Sequence, residues 1–190
     1  LFRSRLWVVA SDYSEDLRIG PEILKQQAEY YRRLRNTLRY LLGALDGWSE
    51  AERLDVKDMP ELDRWVLHRL SELDAKVRET AESYDFHDLF TELHNFCAVD
   101  LSAFYFDIRK DALYCDPISS VRRKACLTVL DHVFDCLTAW LAPILVFTME
   151  ECWLERHSAE ADSVHLREFP KVPVGWANAA LAAKWEKIRI

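Results

Sequence analysis

The sequence predicts an all-α fold, an antiparallel helical bundle with an irregular C-terminal extension. Three observations carry that expectation. Only 4 Gly and 6 Pro interrupt 190 residues, so the segments between breaks are long enough for helices. Apolar residues recur through those segments at three- and four-residue spacing. Half the residues are hydrophobic, with 7 Trp, 7 Tyr and 9 Phe among them. That is ample for one sizeable core and argues against disorder.

The elements follow in order. Leu6–Ala10 is a short apolar run, and the polar stretch 11–16 after it reads as a turn or cap. Gly20-Pro21 opens the first long helix, with proline where a missing amide hydrogen costs nothing, and Asp46-Gly47 closes it. Asp58 with Pro60 predicts the next start, and Leu62, Val66, Leu70, Leu73, Val77 and Ala81 give that helix its stripe. Ser83-Tyr84-Asp85 breaks the pattern, and Asp85 is placed to cap a third helix carrying Phe86, Leu89, Phe90, Leu93, Cys97, Leu101 and Phe104, which Arg109-Lys110 closes. Asp116-Pro117 is a boundary because the residue before proline is pushed out of the helical region. Ser119 or Ser120 then caps a fourth helix running to Trp140. Pro143 starts or kinks the segment after it, and Thr148 and Glu151 have the spacing of a capping box. Residues 159–174 read as an extended excursion, and a helical pattern resumes from Ala177 to Ile190. The resulting division is a junction over 1–20, a bundle over 21–157 and a connector over 158–190.

The first long helix has two unlike faces. At 100° per residue, Ile23, Tyr30, Leu34, Leu38, Leu41 and Leu45 form one stripe, while Lys25, Arg32, Asn36 and Arg39 lie opposite with Arg35 close by. Between Arg18 and Arg39 six basic residues face only Glu22 and Glu29. In a chain of net charge −7, cations gathered on one face point to an anionic ligand such as an RNA backbone. The plainer reading is a solvated helix face. Overall acidity excludes a broad positive field but not a limited basic strip, since affinity depends on phosphates neutralised locally.

Chemistry of other kinds finds no support. The four glycines are too scattered for a phosphate loop, and no Gly-x-Ser-x-Gly elbow occurs. Glu92 and His94 are two apart, so the Glu-x-x-His pair of a two-metal bundle is missing. The five cysteines are widely spaced without a Cys-x-x-Cys pair, so no zinc site is expected here, and free thiols fit a cytoplasmic protein. No apolar run approaches the roughly 20 residues needed to cross a bilayer. A self-contained enzyme and a membrane partner are both disfavoured.

Two further basic clusters remain. Arg122, Arg123 and Lys124 fall in the first turns of the fourth helix, where cations oppose the helix dipole and call for a compensating partner or a function. Phosphate binding is one such function. Arg109-Lys110 needs no special reason, being at a helix end. Tyr105 and Phe106 beside them are candidates for stacking on unpaired bases, with core packing as the alternative, favoured for Phe106.

The runs DYSEDLRIGPEILK and YRRLRNTLRYLL, then SAFYFDIRKDALYCD and SSVRRKACLTVLDHVFDCLTAWLAPILVFTMEECW, resemble the junction and anticodon-binding bundle of bacterial isoleucyl-tRNA synthetases. SVHLREFPKVP and AALAAKWEKIR resemble the connector that follows. The likeness covers residues 6–189; LFRSR matches poorly. It implies the class I synthetase anticodon-binding fold and a tRNA partner, with Lys25, Arg32, Arg35, Asn36, Arg39, Tyr105, Arg122 and Arg123 as tRNA-binding candidates. The family's His-x-x-His signature, Lys-Met-Ser-Lys-Ser loop, editing domain and Cys-rich zinc module are not in this sequence. The expectation is therefore an internal, monomeric fragment, inactive alone. ATP and Mg would belong to the parent, which joins isoleucine to its tRNA, and the other partners would be the parent's catalytic and C-terminal domains. The alternative is a structural docking module that barely touches RNA, working through Leu6-Trp7-Val8-Val9 and Trp185.

Overall fold

The computed structural model describes residues 2–157 and 162–189. The expected start of the connector at 158 and the helix end at Ile190 lie outside them. Eight α-helices make up the bundle among the described residues: α1 Phe2–Val9, α2 Pro21–Ala44, α3 Glu61–Ser83, α4 Phe86–Asn95, α5 Phe106–Tyr114, α6 Val121–Leu141, α7 Val146–Arg156 and α8 Ala179–Ile188. A π-helical stretch, Phe96–Tyr105, joins α4 to α5.

The core is built around α6. Fifteen of its 21 residues are buried, so it is apolar nearly all round, and α2, α3, α5 and α7 pack on it. A helix hydrophobic on every side is stable only when enclosed in this way. α2 buries one stripe, with Leu34, Leu38 and Leu41, whereas α3 buries Leu62, Val66, Leu70, Leu73 and Val77 and, in its first turns, also Asp63, Trp65, Leu67 and His68. The series from Leu62 to Val77 is the stripe the spacing predicts, except that Ala81 at its end is only half-buried. Truncating one of these fully buried leucines to alanine would cost about 2–5 kcal/mol.

Caps fall partly where expected. The Asp85 side chain accepts the Asp88 amide at the start of α4, and Ser120 Oγ accepts that of Arg123 on α6. Asp58 is not a cap. It ends a one-turn 3₁₀ helix, Val56–Asp58, and α3 begins at Glu61 with Pro60 in the capping position. Thr148 does not start a helix either, because α7 begins at Val146, and the Thr148 hydroxyl instead lies 3.1 Å from that of Tyr31. Gly47, at φ 73°, lets the chain turn after α2 in a left-handed conformation open to glycine.

The third helix departs most from expectation. Lys110 does not close it, and it runs on to Tyr114. Within the π-helical stretch, Ser102 Oγ donates to the Cys97 carbonyl five residues back. Turns closed between residues five apart wind less per residue than α-turns. The inward face therefore shifts, and Leu101, Tyr105, Phe106 and Arg109 are buried while Phe104 is left half-buried.

The ends are tied to the bundle. The apolar run at Leu6 is helical, with Leu6 fully buried, and Trp7 Nε1 donates to the Arg18 carbonyl at 3.1 Å, holding the junction against α1. From residue 162 onward the chain crosses the bundle through two 3₁₀ turns, Val164–Leu166 and Val174–Trp176. Glu150 Oε2 accepts from Ser163 Oγ and Val164 N, and Arg78 donates to the Pro170 carbonyl. Just past α8, Arg189 bonds Asp100 at 2.6 Å and sits 4.8 Å over the Trp65 ring.

Candidate nucleic-acid interface

On α2, Lys25, Arg32, Arg33, Arg35, Asn36 and Arg39 are all exposed, because the opposite stripe is held in the core. Arg32, Arg35 and Arg39 follow at three- and four-residue intervals and share a face. Arg32 is not free: its guanidinium bonds Glu29 one turn back at 2.7 Å, and that contact holds the Glu29 carboxyl below its ordinary range. Its side chain is nevertheless 62% exposed, so a phosphate can still reach it. Among the described residues Arg33, Arg35 and Arg39 make no ion pair and no side-chain hydrogen bond. Arg33 is exposed too, but helical phase sets it about 100° from Arg32 and about 160° from Arg35, on the flank towards His94 of α4.

Arg35 and Arg39 overlook a groove of about 550 Å³ between α2 and α7, lined also by Leu42, Thr148, Glu151, Cys152, Leu154 and Glu155. The groove shares Arg39, Leu42 and Glu155 with a second hollow of about 820 Å³ that reaches Trp48, Arg156 and His157. Arg156 is fixed there by a bond to Asp131, with its guanidinium 5.0 Å over the Phe134 ring. Burial, with Glu151 adding to it, pushes the Cys152 thiol up to about 11, so it stays protonated and is no nucleophile. The sequence marked Thr148 and Glu151 only as a capping-box pair, and nothing in it tied α7 to Arg35 and Arg39.

The other sequence candidates fare differently. Tyr105 is fully buried and its hydroxyl donates to Asp63 Oδ1 at 2.6 Å. Its ring cannot stack on a base, and that expectation is corrected. Phe106 is also in the core, stacked on Tyr40 at 4.1 Å. Arg109 is buried in an ion pair with Asp63.

Arg122 and Arg123 lie at the α5–α6 turn and line neither the groove nor the hollow beside it. The Arg122 side chain is exposed, 3.4 Å from Asp116. Arg123 Nη1 donates to the carbonyls of Leu113 at 2.7 Å and Asp116 at 3.3 Å. Arg123 thus answers the negative C-terminal end of α5 and Arg122 the Asp116 carboxylate, which offsets their unfavourable place at the start of α6. Arg123 turns one guanidinium nitrogen, Nη1, to the protein, and the residue is half-buried.

Among the described residues no three His, Cys, Asp or Glu side chains are grouped to hold a metal ion, and no helix is long and apolar enough to cross a membrane.

Comparison with known proteins places this geometry. A family model described as the anticodon-binding domain of tRNA ligase matches residues 63–189. Isoleucine–tRNA ligases are similar over nearly the whole chain, α2 included. That of Ruegeria pomeroyi is 58% identical over 175 residues, covering 92% of this chain and 18% of that protein. That of Mesorhizobium japonicum is 54% identical over 185 residues, covering 97% and 18%. The chain thus spans about a fifth of the length of the curated relatives it matches. Among solved structures, a LeuRS of Agrobacterium radiobacter K84 (agnB2), crystallised in a ternary complex with tRNA and LeuAMS, has a TM-score of 0.67 at 16% identity, covering 93% of this chain and 20% of that one. That likeness is one of fold.

Proposed function

Because the chain belongs to the anticodon-binding domain family of tRNA ligases, we propose that its α2 strip grips the anticodon stem and loop of an isoleucine-accepting tRNA. The parent would be a cytoplasmic isoleucine–tRNA ligase that uses ATP and Mg elsewhere in its length, with this bundle flanked by its catalytic and C-terminal domains. The observation that carries the reading is that Arg35 and Arg39, unpaired among the described residues, stand at the edge of an open groove. Guanidinium groups without protein partners are available to phosphates, whose neutralisation releases counterions and gives binding a steep salt dependence. Arg32, with the exposed Lys25 and Asn36, extends the strip along α2, and Arg122 offers a separate cation at the α5–α6 turn. Such contacts position the RNA, while groups nearer the loop read its bases.

The test is a salt titration of tRNA binding by the chain and by its R35Q/R39Q variant. Loss of two phosphate contacts should flatten the slope of log K against log salt by roughly 1.5. An unchanged slope would remove this face from the interface.

A docking role has one observation in its favour. Val8, 48% exposed, lines an apolar hollow of about 350 Å³ with Val9, Phe86, Pro143 and Ile144. The other surfaces expected for docking are occupied: Leu6 is in the core, and Trp185 packs 6.5 Å from Trp65.

A further inference from the structure

The wall of the groove facing Arg35 and Arg39 carries two carboxylates, Glu151 and Glu155, both exposed. They stand one turn apart on α7, a spacing at which like charges destabilise a helix. Among the described residues neither has an ion pair or a side-chain hydrogen bond. Some exposed acids find cations, as Glu29 does with Arg32, Glu50 with Arg53, Glu61 with Lys184 and Asp88 with Lys76, whereas others, Glu22 and Glu82 for example, have no such partner among the described residues. Glu150, next to Glu151, is engaged with Ser163 and Val164. Arg35 and Arg39 line the same groove as Glu151 and Glu155, yet the two walls do not close on each other, and a volume suited to one small ligand stays open between them.

Opposed walls of this kind constrain the occupant. The arginine wall asks for an anion. Ionised carboxylates accept hydrogen bonds and donate none, so the other wall asks for N–H groups, and Leu42 and Leu154 add apolar surface for a flat ring. A nucleotide has this pattern, with phosphate at one end and N–H donors on the base edge. The bases differ in how well they answer a carboxylate. Guanine presents two adjacent donors that match its two oxygens. Adenine and cytosine present one amino group, and uracil presents a single N–H between two carbonyls that repel the negative charge.

The geometry points to the α2–α7 groove as a base-selecting pocket, in which Glu151 and Glu155 favour an unpaired guanine of the bound RNA and disfavour uracil. This rests on the RNA-binding reading above and adds specificity to it.

The experiment measures fluorescence anisotropy of RNA hairpins that share one stem and differ only in a short loop, either all uridine or uridine with a single G, A or C. The chain should bind the G-containing loop about tenfold tighter than the all-uridine loop, with A and C between them. In an E151Q/E155Q variant, whose changes are on exposed positions, the difference should shrink to about twofold, mainly because the all-uridine loop gains once the repelling charge is gone. R35Q/R39Q should weaken every loop alike. Failure of the chain to distinguish the loops, or a G preference that survives E151Q/E155Q, overturns the pocket. If R35Q/R39Q still weakens binding in that case, the RNA-binding reading stands without it. If no hairpin binds even at low salt, both are overturned.

Discussion

The Tyr105 hydroxyl donates to Asp63 Oδ1 at 2.6 Å, and Arg109 closes on the same carboxylate. The three side chains link α3, the π-helical stretch and α5 inside the core. Burial beside Asp63 pushes the Tyr105 phenol well above its ordinary range, so it stays a donor at every working pH. Asp63→Asn leaves the Arg109 charge buried without its counter-ion and should cost about 3 kcal/mol. Tyr105→Phe removes one bond to a charged acceptor and should cost about 1–2 kcal/mol. Urea unfolding checks both, and neither should alter the salt slope of RNA binding.

Arg123 should behave as a structural residue. Its replacement by Ala frees the Leu113 and Asp116 carbonyls at the end of α5 and should lower stability by about 1 kcal/mol. RNA affinity at fixed salt should hold. A flattened salt slope in this variant would place the guanidinium on the RNA instead.

Glu29 holds Arg32 on the surface of α2. Glu29→Gln both releases that cation and removes a negative charge from the strip. Exposed pairs are weak, so the effect on folding should be slight. RNA binding should tighten roughly twofold at low salt, with the gain fading as salt rises. Titrations at two salt concentrations are enough to see it.

Two groups on α6 titrate over one pH range with opposite sign. Burial, with Asp131 adding to it, pushes Asp135 up to about 6, and Arg167, 3.9 Å away, opposes this only in part. Burial and then Arg53 pull His132 down to about 4, while Asp131 and Glu50 act the other way. Asp135 is easier to bury protonated, so its contribution is full below about 4 and is lost as pH rises through 6. His132 is easier to bury neutral, so its contribution is full above 6.5 and is lost as pH falls toward 4. The two partly cancel in the native chain. Asp135→Asn should raise stability at pH 7.5 by about 1 kcal/mol, a figure that allows for water at its exposed edge. It should also leave the His132 limb unopposed, so that the variant loses more stability than the native chain between pH 7 and pH 5. Urea midpoints at the two pH values, at constant denaturant slope, measure this.

How much of this was legible beforehand depended on whether a property is local. The opposed faces of α2 come from helical phase alone, so the exposure of Arg35 and Arg39 could be read from spacing. The stripe of α3 and the caps at Asp85 and Ser120 are local in the same sense. The glutamate wall could not be read, because Glu151 faces Arg35 only once α7 has docked beside α2.

The sequence by itself determined an all-helical chain, the order of its long helices and a basic face on the first of them, since these follow from periodicity and breakers over a few turns. The tertiary structure decided which cations are free. Arg35 and Arg39 kept open space in front of them, Arg123 met the carbonyl end of α5, and Arg109 met Asp63 in the core. It also decided the fate of Tyr105, because a stretch of wider turns re-phased the helix and carried the ring inward. Charge and aromaticity are written in the residue, but accessibility depends on what packs against it, and those neighbours are brought together from distant parts of the chain.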